Sequence, residues 1–317
     1  MKILQTVKKI PGGLMVVPLL LGCLCNTFIP GVWTTFDGTF TTYLWKSGAM
    51  PILAVFLFCN GATIDVKKAG VPLYKGVVLT ATKVLVGMLL GILISKVVGP
   101  QGILGVAPIA IIAALANSNG GLYAALAGEY GDNTDVGAVA ILSINDGPFF
   151  TLLALGAAGY NVPINTLIGC VIPIVVGCIL GNLDEDIRKF CEPGASIMIP
   201  FFAFPLGAGL TLKSLLVAGF PGILLGIAST VLTGFAGYGI YKLLRMKVPE
   251  VGAAIGTTAG NAAATPAAVF AAGVISEELS NTATAQVSCA IIVTAILCPI
   301  LVTWLHGIEE KKRAAKA

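Results

Sequence analysis

The sequence predicts an all-α polytopic membrane protein of about ten transmembrane helices in a 5+5 inverted repeat, with the fourth and ninth helices broken. Three observations lead there. Of the 317 residues, 56% are hydrophobic and 11% charged, with mean hydropathy +0.94; soluble domains carry about 25% charged residues. Apolar runs of roughly 20 residues, enough to cross about 30 Å of hydrocarbon, recur along the chain. Two runs are interrupted by small polar residues: Ala116-Asn117-Ser118-Asn119-Gly120-Gly121, and Thr257-Thr258-Ala259-Gly260-Asn261 followed by Thr265-Pro266. Lipid cannot satisfy backbone polar groups, so such breaks must be buried in protein or line a cavity. Paired interruptions in two halves point to the binding site of a secondary transporter.

Taken in order, the chain opens with a lead-in where Ile3, Leu4, Val7 and Ile10 oppose Lys2, Lys8 and Lys9, a pattern suited to a membrane surface. The run 11–30 lacks a small-residue cleavage site and contains Pro18 and Asn26, so it reads as a retained first span rather than a signal peptide. The others are 47–64, 72–96, 103–128, 135–158, 164–182, 196–212, 219–241, 250–273 and 282–305.

Charge orients these spans. With the N-terminus in the cytoplasm, Lys2, Lys8, Lys9, Lys67, Lys68, Lys75, Arg188, Lys189, Lys242, Arg245, Lys247, Lys311, Lys312, Arg313 and Lys316 lie inside. Lys46, Lys96 and Lys213 lie outside, and Lys83 falls within the membrane. Both termini are thus expected in the cytoplasm. The net charge of +4 reflects this topology and implies no nucleic-acid partner.

The halves resemble each other. Val16-Val17-Pro18 through Gly22-Cys23 matches Val171-Ile172-Pro173 through Gly177-Cys178 at an offset of 155. Gly61-Ala62-Thr63 matches Gly209-Leu210-Thr211 at 148, Ala69-Gly70-Val71-Pro72 matches Ala218-Gly219-Phe220-Pro221 at 149, and Asn133-Thr134 matches Asn281-Thr282 at 148. Five spans is an odd number, so the second copy must be inverted. The expected halves are 1–160 and 161–317, with the breaks as equivalents.

Two ionisable residues fall near span centres, Lys83 and Asp146, where such groups cost about 2.5–3.5 kcal/mol and face a cavity or a partner. They either pair with each other, or Lys83 meets an anionic substrate and Asp146 carries a proton. Their matches in the other half, Leu232 and Thr294, are uncharged. A broken helix exposes N–H groups at one end and carbonyls at the other, suited to a carboxylate and a cation respectively. Asn117, Ser118, Asn119, Gly120, Asn145, Thr257, Thr258, Asn261 and Thr265 join Lys83 as candidate substrate contacts. Asp146, Ser118, Asn119, Gln286 and Glu129 are candidates for ion coupling. The bland alternative is close packing of small residues with Ser, Thr and Asn bonding across helices.

Other features point away from other classes. Glu129, Asp132 and Asp135 read as a solvated acidic turn, with Glu129 able to reach a cavity mouth. Seven of the eight cysteines lie in apolar runs, where a thiol packs as a small hydrophobe. His306, the lone histidine, sits at the edge of the last span. Trp33, Trp45 and Trp304 suit interfacial anchoring. No zinc-protease motif, paired intramembrane carboxylates or phosphate-binding loop occurs, so an enzyme is not expected, nor is a metal or cofactor.

Several segments carry a resemblance. Met1-Lys2-Ile3 through Lys9-Ile10-Pro11-Gly12-Gly13, Phe58-Cys59-Asn60-Gly61-Ala62, Ala116-Asn117-Ser118-Asn119-Gly120-Gly121-Leu122-Tyr123 and Ser143-Ile144-Asn145-Asp146-Gly147-Pro148-Phe149-Phe150 resemble bacterial 2-keto-3-deoxygluconate permeases. The resemblance implies proton-coupled uptake of that sugar-acid anion across the inner membrane. More distantly, the chain is similar to the bile-acid/sodium symporter fold. That likeness implies crossing broken helices, a panel domain (spans 1–2 and 6–7) and a core domain (spans 3–5 and 8–10). Sodium sites there use a Ser-Asn pair, which Ser118-Asn119 matches, and a Glu in the ninth span. Here the ninth span is read as offering Thr257, Thr258 and Asn261 but no acid. A proton on Asp146 is therefore the expected coupling ion, with sodium as the alternative and a passive channel behind both.

Overall fold

The computed structural model describes residues 2–10, 13–66, 70–99 and 102–315. Lys67, Lys68 and Lys316 of the charge pattern, Ala69 of the repeat, and Met1, Pro11 and Gly12 of the opening motif lie outside them. The described chain is helical throughout. Four helices are long and apolar enough to cross a membrane, and up to seven spans arise if each bent helix pair is one.

The first helix, α1 (Ile3–Lys9), is the amphipathic lead-in, and α2 (Gly13–Phe28) leaves it at 106°. Two short helices, α3 (Gly31–Thr35) and α4 (Phe40–Trp45), carry Trp33 and Trp45, both packed on Phe204. Next come α5 (Ala49–Thr63) and α6 (Val71–Val98). The latter begins with Pro72 in its first turn and ends at Gly99, whose φ of +85° suits glycine.

The fourth segment is α7 (Pro108–Ala116) and α8 (Gly120–Tyr130), bent by 41° across Asn117–Asn119. The fifth departs from the continuous span expected over 135–158. It runs as α9 (Asn133–Gly137), α10 (Val139–Leu142), one 3-10 turn over Ser143–Asn145, and α11 (Phe149–Ala158). Gly147 at φ +86° and Pro148, which has no N–H to donate, break it beside Asp146.

The second half holds α12 (Ile164–Leu183), α13 (Glu185–Cys191), α14 (Gly194–Ala208) and α15 (Leu212–Ala228). A π-turn over Ser229–Thr233 joins α15 to α16 (Gly234–Leu243). The ninth segment is looser than a helix with one gap. It forms 3-10 turns over Pro249–Ile255 and Gly260–Ala264 before α17 (Thr265–Ala271). Gly252 lets it lie backbone-on-backbone against α16, since a Cβ there would sit 2.3 Å from the Gly237 carbonyl oxygen. The last helix, α18 (Glu277–Ala314), is capped by Ser276, with Glu277 and Glu278 in its first turn and Lys311, Lys312 and Arg313 in its last. Those charges complement its dipole.

Packing sorts the helices. α2 lies along α14, and α5 along both α12 and α14; α15 lies along α18, and α6 along α7. Backbones meet closely at the first two contacts. A Cβ at Gly22 or Gly207 would fall 2.1 or 1.9 Å from a carbonyl oxygen across α2–α14, and one at Gly177 or Gly181 would fall 2.1 Å from one across α5–α12. Large apolar side chains such as Leu89, Ile168, Phe220 and Ile300 are exposed on the bundle's outer surface, as a lipid-facing surface requires.

One expectation about charged residues is corrected. Lys75 is buried 2.7 Å from Asp135, and Asp135 is 1% exposed rather than solvated. Asp132 caps α9 in a capping box, and hydrogen bonds from Thr134 hold its carboxyl well below the usual range. At the edge of the last span, His306 Nδ1 lies 2.9 Å from Glu250 Oε1.

Candidate functional site

The two breaks cap one another. Asn119 caps α8 with its own side chain, accepting from Leu122 N–H at 3.0 Å. Its backbone N–H donates across the crossing to Thr257 Oγ1 at 2.9 Å. In return the Thr258 hydroxyl donates to the Ala114 carbonyl in the last turn of α7 at 3.2 Å, while Thr258 N–H donates to Thr294 Oγ1 at 3.0 Å. Asn117 Nδ2 donates to Asn261 Oδ1 at 3.3 Å. Each segment thereby satisfies some of the backbone groups the other leaves open, as a helix end inside a membrane must.

Other polar atoms here have no partner among the described residues: Asn117 Oδ1, Ser118 Oγ and both side-chain polar atoms of Asn145 are buried without a hydrogen bond. Buried polar groups are nearly always satisfied, so this cluster is chemically poised for a polar guest. Asp146 follows Asn145 at the break in the fifth segment, where Asn60 Nδ2 on α5 donates to its Oδ2 at 2.8 Å. The Asn261 side chain also lies beside that carboxyl.

A cavity of about 560 Å³ reaches the crossing from the end of the bundle where α2 begins. Asn119, Gly121, Leu122 and Ala125 of α8 and its cap, together with Gly260, Ile199 and Ala295, wall it. Lys8, Lys9, Ile10, Gly13, Leu14 and Met15 complete the lining. Gly120 and Gly121 open α8, so the positive end of that helix dipole faces this region.

Not every expected residue comes to the crossing in the same way. Lys83 is 0% exposed, and its Nζ donates to the Thr257 carbonyl at 2.7 Å and to Thr233 Oγ1 at 3.0 Å. It pairs with no carboxylate among the described residues, so the Lys83–Asp146 salt bridge is not formed, and it does not line the cavity. Gln286 spends both ends of its amide on the loop before α7, with Nε2 on Gly105 O and Oε1 on Ala107 N–H. These bonds clamp that loop to α18. Glu129 is exposed near the end of α8 and does not line the cavity. Thr265 is buried at the head of α17. The ninth segment does carry an acid, contrary to expectation. Glu250 is 0% exposed, but its carboxylate is taken by His306 and by Arg313 Nη2 at 2.9 and 3.0 Å.

Sequence reasoning overlooked Asn60, which holds Asp146, and Lys8 and Lys9 as cavity residues. The Asn60-Gly61 pair inside an apolar run was the available signal for the first. The amphipathic lead-in was the signal for the second.

An apolar helical bundle with broken segments joined at a buried polar cluster, and a cavity reaching that cluster from one end, defines an integral membrane protein with an internal polar site. Comparison with known proteins says which. The family model described as "2-keto-3-deoxygluconate permease" matches residues 4–311. The chain is 47% identical to 2-keto-3-deoxygluconate permease 1 of Salmonella typhimurium, over 100% of this chain and 98% of that one. It is 38% identical to the 2-keto-3-deoxygluconate permease of Bacillus subtilis (99% and 96%) and 38% to that of Escherichia coli K12 (100% and 98%). The chain belongs to the 2-keto-3-deoxygluconate permease family, a family of membrane transport proteins and not of enzymes.

Proposed function

We propose that this protein imports 2-keto-3-deoxygluconate, or a closely similar sugar-acid anion, together with a proton, by alternating access across the bacterial inner membrane. The observation that carries this reading is the cavity that ends on Asn119, Gly121 and Gly260, at the meeting of the two breaks. Relatives of nearly equal length bearing the permease name support the substrate. In this reading the N–H groups at Gly120 and Gly121 receive the carboxylate. Asn117, Ser118, Asn119, Asn145, Asn261, Thr257, Thr258 and Thr265 form the polar surround, the amides meeting the hydroxyls. Asp146 carries the proton. Lys8 and Lys9 draw the anion to the mouth.

The inverted repeat has support in the packing. Gly22 of the first half meets α14 of the second, and its sequence match Gly177 meets α5 of the first, so the equivalent contacts are exchanged between halves. The panel is then α2, α5, α12 and α14, and the core is α6–α11 with α15–α18. With both termini cytoplasmic, the cavity opens inward and this is an inward-facing state. Alternating access would move the core, with its crossing and Asp146, against the panel, which holds Asn60.

Uptake into proteoliposomes, with pH and sodium gradients imposed separately and several sugar acids as competitors, tests the whole reading. Saturable uptake and counterflow driven by an inward proton gradient are expected. Uptake driven only by sodium would assign the orphaned Ser118 and Asn117 oxygens to a metal ion instead. Non-saturable flux without counterflow would make the protein a channel.

A further inference from the structure

Lys83 sits at the centre of α6, wholly buried, and the hydrogen-bond partners of its Nζ among the described residues are neutral oxygens. The shorter contact, 2.7 Å, is to the carbonyl of Thr257, where the ninth segment unwinds after Gly256. The other is to Thr233 Oγ1, the last residue of the π-turn. That hydroxyl donates to Ser229 O at 2.6 Å and lies 3.3 Å from Ile255 O, which anchors it to the π-turn and to the end of the 3-10 turn before the break. Thr230 on the same turn carries a buried Oγ1 without a partner among the described residues. Carbonyl and hydroxyl oxygens at an unwound helix are the ligands that coordinate monovalent cations in transporters with broken helices.

Thr257 also ties this position to the crossing. Its carbonyl accepts from Lys83, while its hydroxyl accepts from Asn119 N–H at the head of α8. The Lys83 side chain therefore holds the same residue that orients the fourth break. The arrangement is one-sided, because the repeat match of Lys83 is Leu232, which is exposed on the outer face.

We propose that the Lys83 ammonium is a tethered substitute for a cation at the ninth break, occupying with a fixed charge a position that an exchangeable monovalent ion would otherwise fill. This deepens the carrier reading by separating a permanent cation from the transported one, and rests on that reading only in treating the break as part of a transport site. The lysine holds the break in its crossing geometry without drawing on a sodium gradient, leaving the polar atoms near Asp146 for the proton and the substrate.

Stability of purified protein tests this independently of any substrate, so failed uptake would not decide it. Thermal unfolding of wild type, Lys83→Ala and Lys83→Met is followed in choline chloride, and again with sodium, potassium, ammonium or methylammonium replacing choline at constant ionic strength. Lys83→Ala should melt about 5 °C below wild type in choline. A small cation entering the opened position should recover at least half of that difference, measured against the response of wild type. Lys83→Met fills the space without charge and should stay low in every salt. Equal melting of Lys83→Ala in all salts, or a Met variant as stable as wild type, overturns the proposal. If Lys83→Ala cannot be purified in folded form, Thr233→Ala decides. A lowered Tm alike in all salts supports the cradle, and a wild-type Tm overturns it.

Discussion

Asp146→Asn separates coupling from binding. The carboxyl accepts from Asn60 Nδ2 at 2.8 Å, and an amide oxygen in its place accepts the same bond while the new NH2 resembles a protonated acid. The structural cost is therefore at most one adjusted hydrogen bond, about 1 kcal/mol. The functional cost is larger. A monovalent anion entering alone works against an inside-negative potential at about 2.3 kcal/mol per 100 mV, close to a 50-fold penalty on accumulation. One co-transported proton cancels that charge, and accumulation then follows the pH difference, at about tenfold per pH unit. In proteoliposomes with the potential clamped at zero and the outside one unit more acid, wild type should accumulate substrate about tenfold. Asp146→Asn should only equilibrate it, while counterflow of preloaded substrate persists within about threefold of wild type. An Asp146→Asn variant that still accumulates substrate tenfold would refute Asp146 as the proton carrier and, with it, the division of labour at the crossing.

Three further outcomes follow from the geometry. Asn117→Ala and Asn261→Ala lose one long 3.3 Å bond, worth about 1 kcal/mol or less, so initial uptake should fall at least about tenfold with purified yield and Tm near wild type; a fall in yield alone would make them packing residues. Gly177→Ala would set a Cβ 2.1 Å from the Phe58 carbonyl oxygen and should cost about 1–3 kcal/mol by overpacking; Gly169→Ala on the same helix meets nothing within 4 Å and is the control whose melting should not fall. Lys312, Tyr238 and Lys242 hold the Glu309 carboxyl down at about 2, from an ordinary 4.5. A depressed carboxylate stabilises above its unfolded value and loses that contribution as pH falls from 4.5 towards 2, so Glu309→Gln should flatten the acid limb of a Tm–pH profile, and an unchanged limb would deny the cluster its role.

The parts of this fold that could be read from sequence are those imposed by solvent. A lipid environment forces long apolar runs, and it makes Asn117–Asn119 and Thr257–Thr258 conspicuous because no ordinary span tolerates them. The same reasoning failed where a break carries fewer polar residues. Asp146-Gly147-Pro148 looked like an acid within a helix, yet a positive-φ glycine followed by proline ends the 3-10 turn there. Pairings were the least legible feature. Lys75 with Asp135, and Glu250 with His306 and Arg313, join residues separated by about 60 positions, and hydropathy carries no information about which buried charge faces which.

Lys83 shows why that gap matters. A central lysine and a central aspartate in neighbouring spans invite a salt bridge, because each carries the charge the other lacks. The fold instead sends the ammonium to oxygens of the second half and leaves the carboxylate with Asn60. Two opposite charges in one membrane protein gain most from pairing when neither has other work. Keeping them apart demands dedicated solvation for each, here two oxygens for one and amides for the other. Asp146 meets no cation among the described residues, which is the condition a residue must meet if its charge is to be neutralised and restored in every transport cycle.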